Sequence, residues 1–311
     1  MKKTILHLFT VLATGCAIAQ STTNQWHATI KVLDEVNQPI PDARVEVWYY
    51  VKPPAGRSEA SESTTGITDT NGSFSASHEN TGSIDLGFRV SKNGYYPTTK
   101  GHELGTEYNA ARWNPTMTLQ LKKIGEPTPM YAKREETKFQ KEAEPIGFDL
   151  TAGDWIPPFG TGKNADLFFT ATRKVVSETD YEGDLKVSFP NPADGIMAVA
   201  PAPDTGSPLQ MPRAAPEEGY QPQRTWHHTP SERPEPVQGY FFRVRTLLDE
   251  SGAIKSALYG KVRGDVNFYV GTRSPHPGMA FTYYLNPKPN SRNVEFDSAR
   301  NLFPGENVPA P

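Results

Sequence analysis

Apolar and polar side chains begin to alternate at Trp26, where Trp26, Ala28, Ile30 and Val32 interleave with His27, Thr29 and Lys31. Period two means one buried face, so a strand is predicted over 26–33. The pattern returns at 43–51, where Ala43, Val45, Val47 and Tyr49 alternate with Arg44, Glu46, Trp48 and Tyr50, and it breaks at Pro53-Pro54. Ile84, Leu86, Phe88 and Val90 set the inward face of a third strand over 84–91, and Met117 to Leu121 closes the series. The connections carry turn chemistry: Asp34 to Asp42 with Pro39 and Pro41, Thr68 to Phe74 around Asn71-Gly72, and Lys92 to Pro97. Asn-Gly between extended segments favours the primed turn, which predicts a hairpin there. Residues 55–65 are small and polar and predict a mobile loop. Several short strands in roughly 100 residues predict a β-sandwich over 24–123.

Past residue 123 the pattern weakens. Pro127 and Pro129 interrupt it, and the charges between Lys133 and Glu144 cancel, so 124–147 is expected to be a solvated linker. A second β-sandwich-like unit is expected over 148–311, with strands at 165–176, 183–189, 239–249, 253–262, 266–271 and 280–285. In Leu167-Phe168-Phe169 and Tyr240-Phe241-Phe242 the apolar residues are consecutive, which blurs the buried face. Asp249-Glu250-Ser251-Gly252 is a hairpin turn by composition. A Pro-rich insertion near 190–237 keeps neither a helical nor a strand period. The fold class is therefore all-β: two β-sandwich domains joined by a charged linker.

The ordered series Pro39-Ile40-Pro41-Asp42-Ala43-Arg44-Val45-Glu46-Val47, Thr68 to Phe74 and Lys92-Asn93-Gly94-Tyr95-Tyr96 resembles the carboxypeptidase regulatory-like domain, a transthyretin-like (prealbumin-like) fold. The resemblance covers roughly 25–123. It implies a seven-stranded sandwich serving as an accessory module of exported proteins, with no catalytic residues to carry over. The C-terminal half resembles only uncharacterised exported bacterial proteins, which supplies no activity.

The start of the chain bears on compartment. Lys2 and Lys3 precede a short apolar run from Ile5 to Ala13, the pattern of a secretory signal peptide over 1–19. Ala17-Ile18-Ala19 offers cleavage before Gln20. Ala13-Thr14-Gly15-Cys16 offers the alternative of a lipoprotein acylated at Cys16, although Ala13 stands where such boxes usually have Leu. The expected location is thus periplasmic or extracellular, or else the outer membrane through a lipid. No stretch reaches the length of a transmembrane span. Cys16 is the chain's single cysteine, so disulfides contribute nothing to folding. With 32 basic and 35 acidic residues the charge is near balance, and nucleic acid is not an expected partner. The 29 Pro and 25 Gly suit short strands joined by many turns.

No arrangement for catalysis stands out, and neither a metal nor a cofactor is expected. H-E-x-x-H and H-x-x-E zinc spacings and the G-x-S-x-G elbow are all missing from the sequence. His227-His228 reads as a polar loop pair, and Asp69-x-Asn71-Gly72 as a turn, since Asn80 stands where a calcium loop needs Glu. Arg263-Gly264-Asp265 is read as a turn between strands. Asp154 with Asp166, and Asp180 with Glu182, are carboxylate pairs that a glycosidase would need brought to a set separation. Aromatics near turns suggest stacking surfaces for sugars, and the candidate ligand-binding residues are Trp155, Trp226, His227, Tyr220 and Tyr240. The leading expectation is a non-catalytic exported module that binds a glycan or an envelope protein. The alternative is a secreted hydrolase of polysaccharide or peptide whose acids are gathered from distant positions.

Overall fold

The computed structural model describes residues 25–51, 60–80, 82–232 and 234–309. The expected signal peptide, Cys16 and the Gln20 start lie outside the described residues.

The N-terminal part contains β1 (Gln25–Leu33), β2 (Arg44–Val51), β3 (Ala60–Ile67), β4 (Ser73–Glu79), β5 (Asp85–Ser91), β6 (Thr98–Glu103) and β7 (Thr116–Gln120). Among the described residues these seven strands make a three-stranded sheet, β4-β1-β7, and a four-stranded sheet, β3-β2-β5-β6. The alternation in the sequence is what closes them face to face. Trp26, Ala28, Ile30 and Val32 of β1 are wholly buried against Val45, Val47, Phe88 and Val90 from the facing sheet. A one-turn helix, α1 (Ala110–Trp113), is capped by Asn109, whose Oδ1 accepts from Ala111 N and Arg112 N, and it delivers Trp113 to the same interior.

Three local expectations change here. The Asn71-Gly72 turn does not join a hairpin, because β3 pairs with β2 while β4 pairs with β1. It is a corner between the two sheets. Thr68 anchors it by donating its hydroxyl to Ile40 O and accepting from Ala43 N, which carries β3 and β4 apart. Gly72 has φ +69°, and a Cβ there would come within 2.6 Å of Val32 O. Second, residues 60–65 of the expected mobile loop belong to β3, a polar edge strand whose lack of apolar residues hides it. Third, Ile84 is exposed, and burial in that strand starts at Leu86.

The C-terminal part contains β8 (Tyr131–Lys138), β9 (Ile146–Asp149), β10 (Asp154–Trp155), β11 (Leu167–Ser177), β12 (Asp180–Ser188), β13 (Gly195–Val199), β14 (Gln223–His228), β15 (Gly239–Leu248), β16 (Ile254–Arg263), β17 (Asn267–Tyr269) and β18 (Gly278–Leu285). One sheet runs β10-β9-β11-β12-β14. The other runs β13-β15-β16-β18-β17, with β8 paired along β18. The second sheet is buried on both faces. Tyr240, Phe242 and Val244 meet Phe148, Phe169, Leu185 and Trp226 of the first sheet. Phe241, Tyr259 and Tyr284 point the other way, onto Met130, Met211, Val294 and Phe296. Two buried faces remove the alternation, which explains the consecutive aromatics in β15.

The charged run expected as linker is largely β8. As an edge strand it tolerates Lys133, Arg134, Glu135 and Glu136 because one side of its ladder faces solvent, and such charges keep the edge from pairing with other chains. The Pro-rich insertion holds two short strands, β13 and β14, and its buried Leu209, Met211 and Ala215 help cover the outer face of the second sheet. No helix among the described residues is long and apolar enough to cross a membrane.

The two parts are joined by polar bonds as well as by the chain. Thr99 N donates to Gly206 O at 3.1 Å, and Lys122 Nζ to Leu209 O at 2.7 Å. Arg213 forks onto Glu35 at 2.8 and 3.0 Å and also reaches Lys123 O. Glu295, 1% exposed, accepts from the Tyr96 hydroxyl at 2.7 Å and from Gly125 N and Glu126 N at 2.9 and 3.2 Å. Burial and the Glu295 carboxylate push the Tyr96 hydroxyl well above the usual phenol range.

Candidate functional site

The structure brings two of the five candidate residues together. Trp226 on β14 and Tyr240 on β15 meet edge to face, and Trp226 Nε1 donates to the Tyr240 hydroxyl at 3.0 Å and to Asp265 Oδ1 at 2.9 Å. The Tyr240 hydroxyl in turn donates to Asp265 Oδ1 at 2.5 Å. Arg224 covers both rings, its guanidinium carbon 4.8 Å from the Tyr240 centroid and 5.6 Å from that of Trp226. Trp226 is 8% exposed and Tyr240 wholly buried, so neither ring has a free face on which a sugar can stack. Asp265 of the Arg-Gly-Asp turn is consumed as the acceptor of this knot.

His227 points to the other face of β14, away from Trp226. Its Nδ1 lies 2.7 Å from Asp184 Oδ1 and its Nε2 3.5 Å from Glu232, and the Asp184 hydrogen bond raises its pKa above the usual imidazole value. His228 turns inward, with Nδ1 3.2 Å from Phe268 O. The pair is therefore on a strand rather than in a loop, and the two rings cannot share an ion. Tyr220 stands apart, its hydroxyl donating to Pro216 O and its ring beneath Arg243.

Trp155 packs among Phe148, Phe169 and Phe139 and donates Nε1 to Glu135 Oε1 at 2.9 Å. One edge of it lines a hollow of about 300 Å³ with Phe139, Phe159, Ile146, Gln140 and the end of β8. A second hollow of about 330 Å³, lined by Tyr269, Ser274 and His276, lies against the same end of β8. A wider, polar cleft of about 540 Å³ opens between the β11–β12 turn and residues 229–232.

Carboxylates gather elsewhere, around Arg245. This residue sits at a bulge in β15 with φ +55°, and its guanidinium bonds Asp166 at 2.7 and 3.0 Å, Asp149 at 3.3 Å and the Thr151 hydroxyl at 3.0 Å. Asp149 also accepts from the backbone N–H groups of Thr151, Ala152, Lys163 and Asn164. Burial opposes its charge, but these donors win and hold the carboxyl at about 2. For Asp166 burial wins, and its pKa is raised despite Arg245. Asp194 accepts from Arg245 N and Thr246 N and is likewise raised by burial. Asp154 of the proposed carboxylate pairs accepts from Trp155 N, Thr161 N and the Thr161 hydroxyl. These acids close loops and line none of the three hollows above, whereas Asp180 and Glu182, the other pair, stand with Glu232 in the wall of the 540 Å³ cleft. Among the described residues no three His, Cys, Asp or Glu side chains are placed to hold a metal ion.

Arg245, Asp149 and Glu295 were not among the sequence candidates. Arg243 and Arg245 standing in the middle of an apolar strand were the available signal, since an arginine there needs buried acceptors.

No family model matches the chain, and no curated protein sequence matches it. Among solved structures, catechol 1,2-dioxygenase from Acinetobacter sp. ADP1 is similar at 13% identity over 34% of this chain and 55% of that one, with a TM-score of 0.26. The 3-chlorocatechol 1,2-dioxygenase of Rhodococcus opacus 1CP is similar at 12% identity over 34% and 62%, with a TM-score of 0.27. A streptococcal ancillary pilin is similar at 12% identity over 48% and 53%, with a TM-score of 0.22. The chain spans less than two thirds of the length of each of these proteins, and at such scores nothing about its chemistry follows from them.

Proposed function

We propose that this chain is an exported, non-catalytic accessory module, a stiff pair of β-sandwiches that holds or presents a partner of the cell envelope, either a glycan or a protein. The carrying observation is how the buried acids are used. Asp149, Asp166 and Asp194 tie loops to β15, and Glu295 fastens the N-terminal sandwich to the C-terminal sheets. A hydrolase keeps its acids convergent on open space, whereas a scaffold spends them on rigidity. The signal-like start and the resemblance of 25–123 to an accessory module point the same way.

The test has two arms. Mass spectrometry of the mature protein from the native host distinguishes a Gln20 start from an acylated Cys16, and an intact Met1 would overturn export. Retention of the full mature chain on envelope material, with release of neither sugar nor peptide from it, is the expected behaviour. Steady release of either product with purified chain would replace this reading with a hydrolase.

A further inference from the structure

Several polar groups around the end of β8 are left unused by the fold. The side chains of Lys138 and Gln140 are exposed and bond to no described residue, and Tyr269 on β17 is 44% exposed with its hydroxyl equally free. These groups border the two hollows of about 300 and 330 Å³, which both include Glu136, Thr137 and Lys138 in their walls. The hollows therefore flank the same stretch of the edge strand. The floor of the first is aromatic and aliphatic: the edges of Phe139 and Trp155, the half-buried Phe159, and Ile146. On the other side stands the Tyr269 ring.

Neighbouring hollows with an aromatic surface in each and a carboxylate, an amide and hydroxyls on their rims match one class of ligand. The C–H face of a pyranose packs on an aromatic ring, while its hydroxyls take hydrogen bonds around the edge. Charge narrows the choice, since the one acid and the one lysine lining both hollows, Glu136 and Lys138, cancel in sign, and Glu136 is also held by Arg134 at 3.5 Å. Each hollow lies at the small end of the range for ligand sites, the size of one or two sugar rings. We infer that the two hollows flanking Glu136–Lys138 act together as one groove that binds a neutral oligosaccharide, with Phe159 and Tyr269 as its stacking platforms. This rests on the binding-module reading above and gives it a place: the β8 edge, not Trp226.

The test is calorimetric titration of the full mature chain with cello-, xylo-, chito- and malto-oligosaccharides of six rings. At least one is expected to bind, and Phe159→Ala combined with Tyr269→Ala is expected to weaken it tenfold or more. If the Phe159 change lowers the melting temperature, Gln140→Ala with Tyr269→Ala, both at exposed positions, makes the same comparison and should weaken binding at least threefold. Binding unchanged in these variants, or no binding to any of the four sugars, overturns the inference. In the latter case, retention on envelope protein leaves the accessory-module reading standing, and loss of all retention removes both.

Discussion

The N-terminal sandwich and the C-terminal sheets solve the same packing problem in different ways. The first has one interior between two sheets, filled by side chains such as Trp26, Val45, Phe88 and Val90. The second builds two interiors on either side of one sheet and threads charge through them: Arg245 with its aspartates, Asp265 beneath Trp226 and Tyr240, and Lys261 at 1% exposure. An apolar interior is indifferent to how the chain reaches it. A polar one depends on each partner being in place, because a buried charge that loses its counterpart is costly.

Breaking the polar side should therefore have the largest effect. Arg245→Ala strands Asp149 and Asp166 and is expected to cost about 3–5 kcal/mol in urea unfolding. Adding Asp166→Asn should recover part of that loss. In the N-terminal sandwich, Phe88→Ala leaves a cavity worth about 3–4 kcal/mol. The two differ in character, since the Phe88 loss should be the same at low and high salt and between pH 4 and 8. Between the parts, Glu295→Ala unpairs the Tyr96 hydroxyl and two backbone amides and should cost about 2–3 kcal/mol. Hydrogen exchange should then quicken at Gly125 and Glu126 while β1 and β15 stay protected.

The smallest change is a gain. Among the described residues the Lys261 ammonium has no hydrogen-bond partner; it lies 5.1 Å from the Tyr284 ring centroid, and burial lowers its pKa to about 7. A folded-state value below the ordinary one for lysine means a penalty that is full below pH 7 and fades as pH rises toward the unfolded value. Lys261→Met should stabilise the protein by about 1–2 kcal/mol at pH 6 and flatten the rise in stability between pH 7 and 10.

The same contrast sets how much was legible. The N-terminal strands with a clean period of two, over 26–33 and 43–51, were readable because one face of each meets water. The main C-terminal strands, β11, β12, β15, β16 and β18, also stood out as apolar runs. What escaped were elements whose side chains report an edge or a crossing. β3 and β8 are too polar to announce themselves, and β13 and β14 are only five and six residues long between prolines. The aromatic candidates lie near turns in the sequence. Position near a turn does not fix exposure, and Trp226 beside Gly183 to Ser188 of β12 is covered from several sides. The hollows at β8 were hidden for the same reason as the strand, since their walls come from residues 136–140, 146, 155–159 and 269–278, which only pairing brings together.

The claim that buried charge holds the C-terminal sheets is tested most directly at Asp149. Its carboxyl titrates at about 2 in the folded protein against an ordinary 3.8, so its contribution of about 2 kcal/mol is complete near neutrality and drains away as pH falls through that interval. Unfolding free energies of the native chain and of Asp149→Asn, measured from pH 6 down to pH 3, should converge by about 1 kcal/mol. A gap that stays constant over that range would contradict the account.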